Sequence, residues 1–377
     1  MTQKRLVDYR RTERAVAVDR AYLDRAIELA RRGLGATSPN PPVGAVIVKD
    51  GALIGEGHHR FAGQPHAEIE ALREAGDATG ATMYVSIEPC NHFGKTPPCT
   101  RALIDARIAR VVIGARDPNP TTNGTGISAL QEAGIEVEVC DDPAALQLIE
   151  PFQTAIRSTR PYIALKMASS VNGFIASRQG EMQWLTGAES LAFVRDLRIA
   201  HDAVMVGAGT IRVDDPVLTV RPAHDRAKPY ARIVVCESGT VSSESRVFAP
   251  LENYDRTIVL APAGRKMLFE SLQNVADVVF FGNDNDERLD LRLAMDSLHA
   301  RGVQSVLCEG GPTLAARLLE QRCVDRVYWL AAPIKIGGQN AVRALTQTEN
   351  HPLPSIQFDR VERLGDDMMA TGVVLDV

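Results

Sequence analysis

The stretch "TMYVSIEPCNHFGKTPPCTRALIDA", Thr82–Ala106, decides how the first half of the chain is read. Its opening apolar run, rich in β-branched and aromatic residues, reads as a buried strand, and "CTRALIDA" at its end reads as a short helix. Between them Cys90 and Cys99 bracket eight residues that include His92, Lys95 and the adjacent pair Pro97-Pro98. A disulfide loop, a metal site and an ordinary surface turn would all tolerate such a string.

The flanking sequence supplies the frame. Upstream, "DRAYLDRAIELARRG" reads as a helix with Asp19 as N-cap, an apolar stripe of Tyr22, Ala26, Leu29 and Ala30, and Gly33 as stop. "VGAVIVKDGALIGEGHH" reads as a hairpin turning at Asp50-Gly51, and "HAEIEALREAG" as a helix. Downstream, "RVVIGA" and "IEVEV" read as strands around a helix at "GISALQEAG", and a further helix runs through "DPAALQLIEPFQTAIRS". Strands alternating with helices argue for a layered α/β domain. A fresh α/β pattern starts at "YIALKMASS", which puts the domain boundary near residue 158. In the second half, strands are expected at "DAVMVGAG", "RIVVCE", "TIVLAP", "DVVFFG", "QSVLCEGG" and "RVYWLAAP", with helices at "AESLAFVRDLRIA" and "ERLDLRLAMDSLHARG".

Composition narrows the function classes. A chain of 377 residues, 45% hydrophobic, is long enough for two domains, each with its own core. The formal net charge of -5 supplies no global positive field for nucleic acid or anionic membrane. No run approaches the roughly 18 apolar residues that a membrane span needs. The basic N-terminus lacks an apolar signal-peptide core, so residues 1–18 are expected to be a flexible extension and the protein cytoplasmic. Six cysteines in such a chain suit a reducing compartment, which disfavours the disulfide reading of Cys90 and Cys99.

The metal reading gains from His66-Ala67-Glu68, which opens a helix a short way upstream. Zinc takes imidazole and thiolate ligands, and a catalytic site has three of them with the fourth position left to water. His66, Cys90 and Cys99 supply that number, and Glu68 lies near enough to His66 to shuttle a proton. This is the H-x-E…P-C-x-x-C logic of zinc nucleobase deaminases, in which the Glu is acid and base rather than ligand. The eight-residue spacer departs from the generic two. His92 within it is either a fourth ligand or a substrate-facing group.

The spacer "PCNHFGKTPPC", with "PNPPVGAVIVKDG" upstream and "DPNP" and "GTGI" downstream, strongly resembles the deaminase half of the bifunctional riboflavin-biosynthesis deaminase-reductase family, called RibD or RibG. The resemblance implies a cytidine-deaminase-like α/β/α sandwich over residues 19–158 holding one Zn2+. It also implies hydrolytic loss of an amino group from a ribosylaminopyrimidinone 5'-phosphate, with Glu68 as the proton carrier. By the same resemblance Asn40, His59, His92, Lys95, Asp117 and Asn119 look like substrate contacts. Each has an ordinary alternative: Asn40 and Asn119 lie in Asn-Pro turns, and Lys95 reads equally as a solvated loop lysine.

The second half has no P-loop and no G-x-G-x-x-G after a strand. It has two strand-to-glycine junctions, "MVGAGT" and "CEGGPTL", which either admit a phosphate-bearing ligand to the backbone or are simply tight turns. "YIALKMASSVNG", "QWLT", "RDLRIAHDAVMVGAGTIRVDDPVLTVR", "CEGGPTLAARLL" and "APIKIGG" resemble the reductase half of the same family. That half implies a dihydrofolate-reductase-like α/β domain over residues 159–377. It further implies NADPH as cofactor, hydride delivery to carbon 1' of the ribose, and a homo-oligomer. Lys166, Thr186, Arg198, Asp214, Arg221 and Glu309 look like the substrate side, with Arg198 and Arg221 suited to the 5'-phosphate. Ala168, Gly207, Thr210, Gly310, Gly311 and Thr313 look like the cofactor side. For the arginines the ordinary alternative is a salt bridge.

Where the family usually reads S-L-D-G, this chain has Ser170-Val171-Asn172-Gly173, so a carboxylate is replaced by an amide. That substitution raises the alternative of a deaminase with an impaired reductase half. A paralogue in a related flavin- or pteridine-analogue pathway is a second alternative. A nucleic-acid-editing deaminase would share the zinc half, but it needs a basic groove and leaves the second half unexplained.

Overall fold

The structure is a computed structural model, and it describes residues 18–93, 97–181, 183–221, 226, 228–345 and 353–375. Lys95 lies outside the described residues, as does most of the expected N-terminal extension. The chain divides into two compact units between Arg157 and Ser158.

The first unit is built on a five-stranded sheet in the order β2-β1-β3-β4-β5. Its strands are β1 (Gly44–Lys49), β2 (Ala52–His58), β3 (Thr82–Ile87), β4 (Arg110–Ala115) and β5 (Glu136–Val139). Its helices are α1 (18–31), α2 (Ala67–Ala75), α3 (Cys99–Asp105), α4 (Thr125–Glu132) and α5 (Pro143–Arg157). The β1–β2 hairpin turns on Asp50 and Gly51, both with positive φ (53° and 78°), as the primed hairpin turns require.

Glycines show which face each helix covers. A Cβ on Gly44 would lie 2.1 Å from the Ala26 carbonyl oxygen, so α1 rests on that face of β1. Gly57 pairs with Ala45, on the opposite face, and a Cβ there would lie 2.5 Å from the Ala67 carbonyl oxygen of α2. Helices on both sides of one sheet make the expected α/β/α sandwich, closed over a core that includes Ala26, Leu29, Val46, Met83 and Ile113. One expectation needs correction. Asp19 does not cap α1 but lies within it, and its carboxylate accepts from Tyr84 and from Arg110 (3.0 Å). The residue is spent on tying the helix to β3 and β4.

The second unit has a nine-stranded mixed sheet in the order β11-β10-β9-β8-β12-β6-β13-β16-β15, with a two-stranded β14-β7 ribbon beside it. In chain order the elements are β6 (Tyr162–Ser170), β7 (Phe174–Ala176), α6 (Ala188–Ala200), β8 (Ala203–Gly207), α7 (Ala208–Asp214), β9 (Ala231–Val235), β10 (Ile258–Pro262), α8 (Glu270–Gln273) and β11 (Asp277–Phe281). There follow α9 (Leu291–Ala300), β12 (Ser305–Cys308), α10 (Pro312–Glu320), β13 (Arg326–Ala332), β14 (Val342–Arg343), β15 (Ile356–Leu364) and β16 (Asp367–Val374).

Strand alternation sorts the core into two faces. Ala203, Met205, Ile233 and Leu260 pack with Met295 of α9 and Leu318 of α10, whereas Val204, Val206, Val234 and Val259 pack with Ile211 of α7 and Leu272 of α8. The β15–β16 hairpin is absent from the sequence expectations. Its outer strand, "IQFDRVERL", is mostly exposed and charged, so it lacks the apolar run by which the other strands are recognised.

The close approach at Gly44 yields a test of the first unit. Gly44→Ala is expected to destabilise it by about 1–3 kcal/mol, the usual cost of overpacking, read as a lower urea midpoint. An unchanged midpoint would contradict the α1–β1 contact.

Candidate active sites

In the first unit the candidate residues gather at one edge of the sheet. β3 and β4 run parallel, so Cys90 after β3 and Asp117 after β4 emerge side by side. β1 runs antiparallel to β3, and β2 to β1, so Asn40 before β1 and His59 after β2 reach the same edge. Helices α2 and α3 begin there and bring His66, Glu68 and Cys99.

The ligand atoms of His66, Cys90 and Cys99 lie within 4.8 Å of one another. His66 Nδ1 is 3.2 Å from Cys99 Sγ and 3.6 Å from Cys90 Sγ. A nitrogen and a sulfur bound to one tetrahedral zinc stand about 3.6 Å apart, so the triad fits that ion. Both cysteines are free thiols, which removes the disulfide alternative. The hydrogen bond from Cys99, joined by His66, lowers the Cys90 thiol against the opposing effect of burial, while the same contact raises Cys99. Cys90 is the easily ionised sulfur that metal ligation requires. His92 lies outside the triad, 3.5 Å from the Thr122 hydroxyl, so its reading as a fourth ligand is not supported.

Glu68 is buried beside the triad, and its Oε2 has no hydrogen-bond partner among the described residues. Burial first, then the charge of Cys90, raises its carboxyl above the usual range. Such an unpartnered buried oxygen fits a group that exchanges protons with something bound in front of it. Asn40 and His59 form a second pair. His59 Nδ1 donates to the Pro65 carbonyl (3.1 Å), so its Nε2 is the acceptor for Asn40 Nδ2 (3.2 Å). The Asn40 carboxamide orientation is thereby fixed. Burial also lowers the His59 pKa, favouring the neutral ring. Asp117 is buried, and desolvation pushes its carboxyl up to about 6, while the Asn119 N–H it accepts (2.8 Å) works the other way.

Sequence reasoning passed over Glu88. Its carboxylate accepts N–H groups from Gly126 (3.0 Å), Gly124 (3.1 Å), Ile127 (3.2 Å) and Asp117 (3.3 Å). It therefore clamps the start of α4 and the segment bearing Asp117 and Asn119 against the strand that delivers Cys90. A buried glutamate directly after an apolar strand was the available signal.

In the second unit, all twelve candidate residues line one cavity of about 2100 Å³. Arg198 and Glu309 are not independent. The guanidinium forks the carboxylate (Nε–Oε1 2.5 Å, Nη2–Oε2 3.0 Å), and its Nη1 donates to the Thr219 carbonyl (2.9 Å). Arg198 thus matches the salt-bridge alternative more closely than a phosphate clamp. Arg221 donates to the Thr219 hydroxyl (2.8 Å) and has no carboxylate partner among the described residues. Lys166 is partly buried, and desolvation lowers its ammonium pKa while the Glu309 charge opposes that. Burial alone raises the Asp214 carboxyl.

The cavity also suits a dinucleotide. A Cβ on Gly207 would come no nearer than 3.7 Å to another residue, and one on Gly311 no nearer than 3.9 Å. Their φ values of -86° and -71° are open to any residue. Neither packing nor backbone demands glycine there, which leaves the space in front of them for a ligand that approaches the main chain. Gly310 differs, because a Cβ would lie 2.7 Å from Leu314 Cδ2.

Comparison with known proteins bears on both units. The family model described as "RibD C-terminal domain" matches residues 161–370, and "Cytidine and deoxycytidylate deaminase zinc-binding region" matches residues 16–115. The riboflavin biosynthesis protein RibD of Bacillus amyloliquefaciens is 35% identical over 360 residues, covering 94% of this chain and 96% of its own. The structure of Acinetobacter baumannii RibD superposes with a TM-score of 0.79 at 35% identity, covering 96% of this chain and 99% of that one. A Thermotoga maritima structure, described as a diaminohydroxyphosphoribosylaminopyrimidine deaminase and 5-amino-6-(5-phosphoribosylamino)uracil reductase, gives 0.79 at 34% identity, covering 95% and 99%.

Replacing Glu88 tests the clamp. Glu88→Ala leaves four N–H groups without their acceptor and is expected to cost on the order of 3 kcal/mol in chemical denaturation. Glu88→Gln, which keeps one acceptor oxygen, should cost less. Equal stability of the alanine variant and the wild type would contradict it.

Proposed function

Because the chain belongs to the RibD family of riboflavin biosynthesis proteins, we propose that it carries out two successive reactions on one phosphorylated pyrimidine. The first is hydrolytic deamination of 2,5-diamino-6-(5-phosphoribosylamino)pyrimidin-4-one to the corresponding aminouracil. The second is NADPH-dependent reduction of the ribosyl group to the ribitylamino product. The observation that carries the proposal is the pairing, in one chain, of a zinc-type triad beside a buried glutamate with a cavity lined by every candidate reductase residue.

In the deaminase unit His66, Cys90 and Cys99 would hold the ion. Zinc supplies Lewis acidity that lowers the pKa of a water. Glu68 takes a proton from the attacking water and passes it to the ring nitrogen, then carries the remaining hydroxyl proton to the amino group, which leaves as ammonia. Asn40, held by His59, and Asp117 and Asn119, held by Glu88, present polar groups of fixed orientation to the pyrimidine and ribose. His92 and Lys95 belong to the same proposed substrate set.

In the reductase unit NADPH supplies the hydride. Gly207, Thr210, Gly310, Gly311 and Thr313, with Ala168, form the proposed cofactor side. Lys166, Thr186, Asp214 and Arg221 face the sugar phosphate, and the Arg198–Glu309 pair fixes polar groups at the reacting end. With Arg198 occupied by Glu309, Arg221 is the better-placed cation for the 5'-phosphate. The proposal extends to a cytoplasmic location, supported by the free thiols at Cys90 and Cys99, and to a homo-oligomer, supported by the family resemblance. Among the described residues no helix is long and apolar enough to cross a membrane.

Supplying the diaminopyrimidinone phosphate tests the reading. Ammonia should appear without NADPH, and NADPH should be oxidised once it is added; ammonia without oxidation would contradict the reductase assignment. Glu68→Gln should retain zinc by elemental analysis yet lose ammonia release by about 10²-fold or more. Loss of the metal in that variant would mean that Glu68 is not the proton carrier.

A further inference from the structure

Asn172 occupies the turn between β6 and β7, where the family pattern carries a carboxylate. Its carboxamide makes a reciprocal pair of hydrogen bonds with the main chain of Ile336: Nδ2 donates to the Ile336 carbonyl (2.8 Å), and Oδ1 accepts the Ile336 N–H (3.1 Å). A carbonyl only accepts and an N–H only donates, so the orientation of the amide is fixed. The Ser170 hydroxyl donates to the same Oδ1 (2.8 Å) and accepts the N–H of Phe174 (3.0 Å), which locks the turn around the amide.

Two main-chain bonds flank this contact. Val171 N–H donates to the Ile334 carbonyl (3.1 Å), and Ala344 N–H donates to the Gly173 carbonyl (2.9 Å). The turn thus holds the segment 334–344 at three places, and Asn172 supplies the only side chain among these contacts. Ile336 itself is buried. Three residues further on, Gln339, Asn340, Ala341 and Val342 form part of the cavity wall, and Val342 pairs with Ala176 of β7, another wall residue.

We propose that Asn172 is a positioning residue of the reductase site, latching the segment 334–344 through both ends of its amide and so setting the cavity wall at Gln339–Val342. The inference rests on the reductase reading above. A carboxylate would keep the two bonds to Oδ1 but would set a second oxygen 2.8 Å from the Ile336 carbonyl, with no proton between them.

Asn172→Asp and Asn172→Ala, made in the full chain, test the latch. Each should raise at least one reductase KM, for NADPH or for the sugar phosphate, by about tenfold, the order expected for one lost hydrogen bond. The reductase kcat should stay within about twofold of wild type, since no reacting group is touched. Ammonia release should be unchanged, which reports folding of the first unit, and the retained reductase kcat reports folding of the second. Unaltered KM values, or a lost kcat at unaltered KM, would overturn the proposal. Hydrogen exchange over residues 334–344 reads the latch without turnover: faster exchange in Asn172→Ala supports it, and equal exchange overturns it. Faster exchange in a protein whose wild type never oxidises NADPH would count against the reductase reading and leave the latch standing.

Discussion

Parallel strand pairing is the constraint on which both sites depend. Hydrogen-bonded parallel neighbours end at the same edge of a sheet, so whatever follows each strand is delivered to one place. In the first unit β3 and β4 bring Cys90 and Asp117 together, β2, running the same way, adds His59 after its end, and the antiparallel β1 adds Asn40 before its start. In the second, β12 lies between β6 and β8, with Cys308 paired to both Leu165 and Met205. Lys166, Gly207 and Glu309 therefore open onto a single cavity although more than a hundred residues separate the first from the last.

Polar groups at these edges are oriented by other polar groups. Glu88 gathers four main-chain N–H groups, His59 turns Asn40, Arg198 locks Glu309, and Asn172 grips the N–H and the carbonyl of one residue, Ile336. Each would be costly if buried alone, and each is satisfied by a partner that also fixes the geometry of a candidate contact. Burial raises the Glu309 carboxyl, but the charge and hydrogen bond of Arg198, joined by the charges of Lys166 and His201, together hold the group below the usual carboxylate range. Lys166, without such a fork, is shifted the other way, towards its neutral form.

The local sequence carried much of this arrangement. Strands with continuous apolar runs, such as β3, β4 and β8, were legible because burial on both faces leaves a recognisable composition. The clustering of His66, Cys90 and Cys99 was legible because ligand type and order survive a change of spacing. Three things were not. Asp19 looked like a helix cap because a local rule does not register Arg110, ninety-one residues away. Arg198 looked like a phosphate fork because its carboxylate partner lies just past the end of a strand distant in sequence. The exposed β15 carries charges where a buried strand would carry valine or isoleucine. Asn172 stood out as a departure from the family pattern, but the residue whose main chain it grips, Ile336, is 164 residues further along the chain.

The central claim is that two chemistries act in succession, each in its own compact unit. The most direct measurement is NADPH oxidation by enzyme stripped of metal with a chelator. The account predicts no oxidation when the diaminopyrimidinone phosphate is supplied, undiminished oxidation when the deaminated uracil phosphate is supplied, and recovery of the first reaction when zinc is restored. Equal oxidation of both compounds by the metal-free enzyme would contradict the order of the two steps and the role of the His66, Cys90 and Cys99 triad.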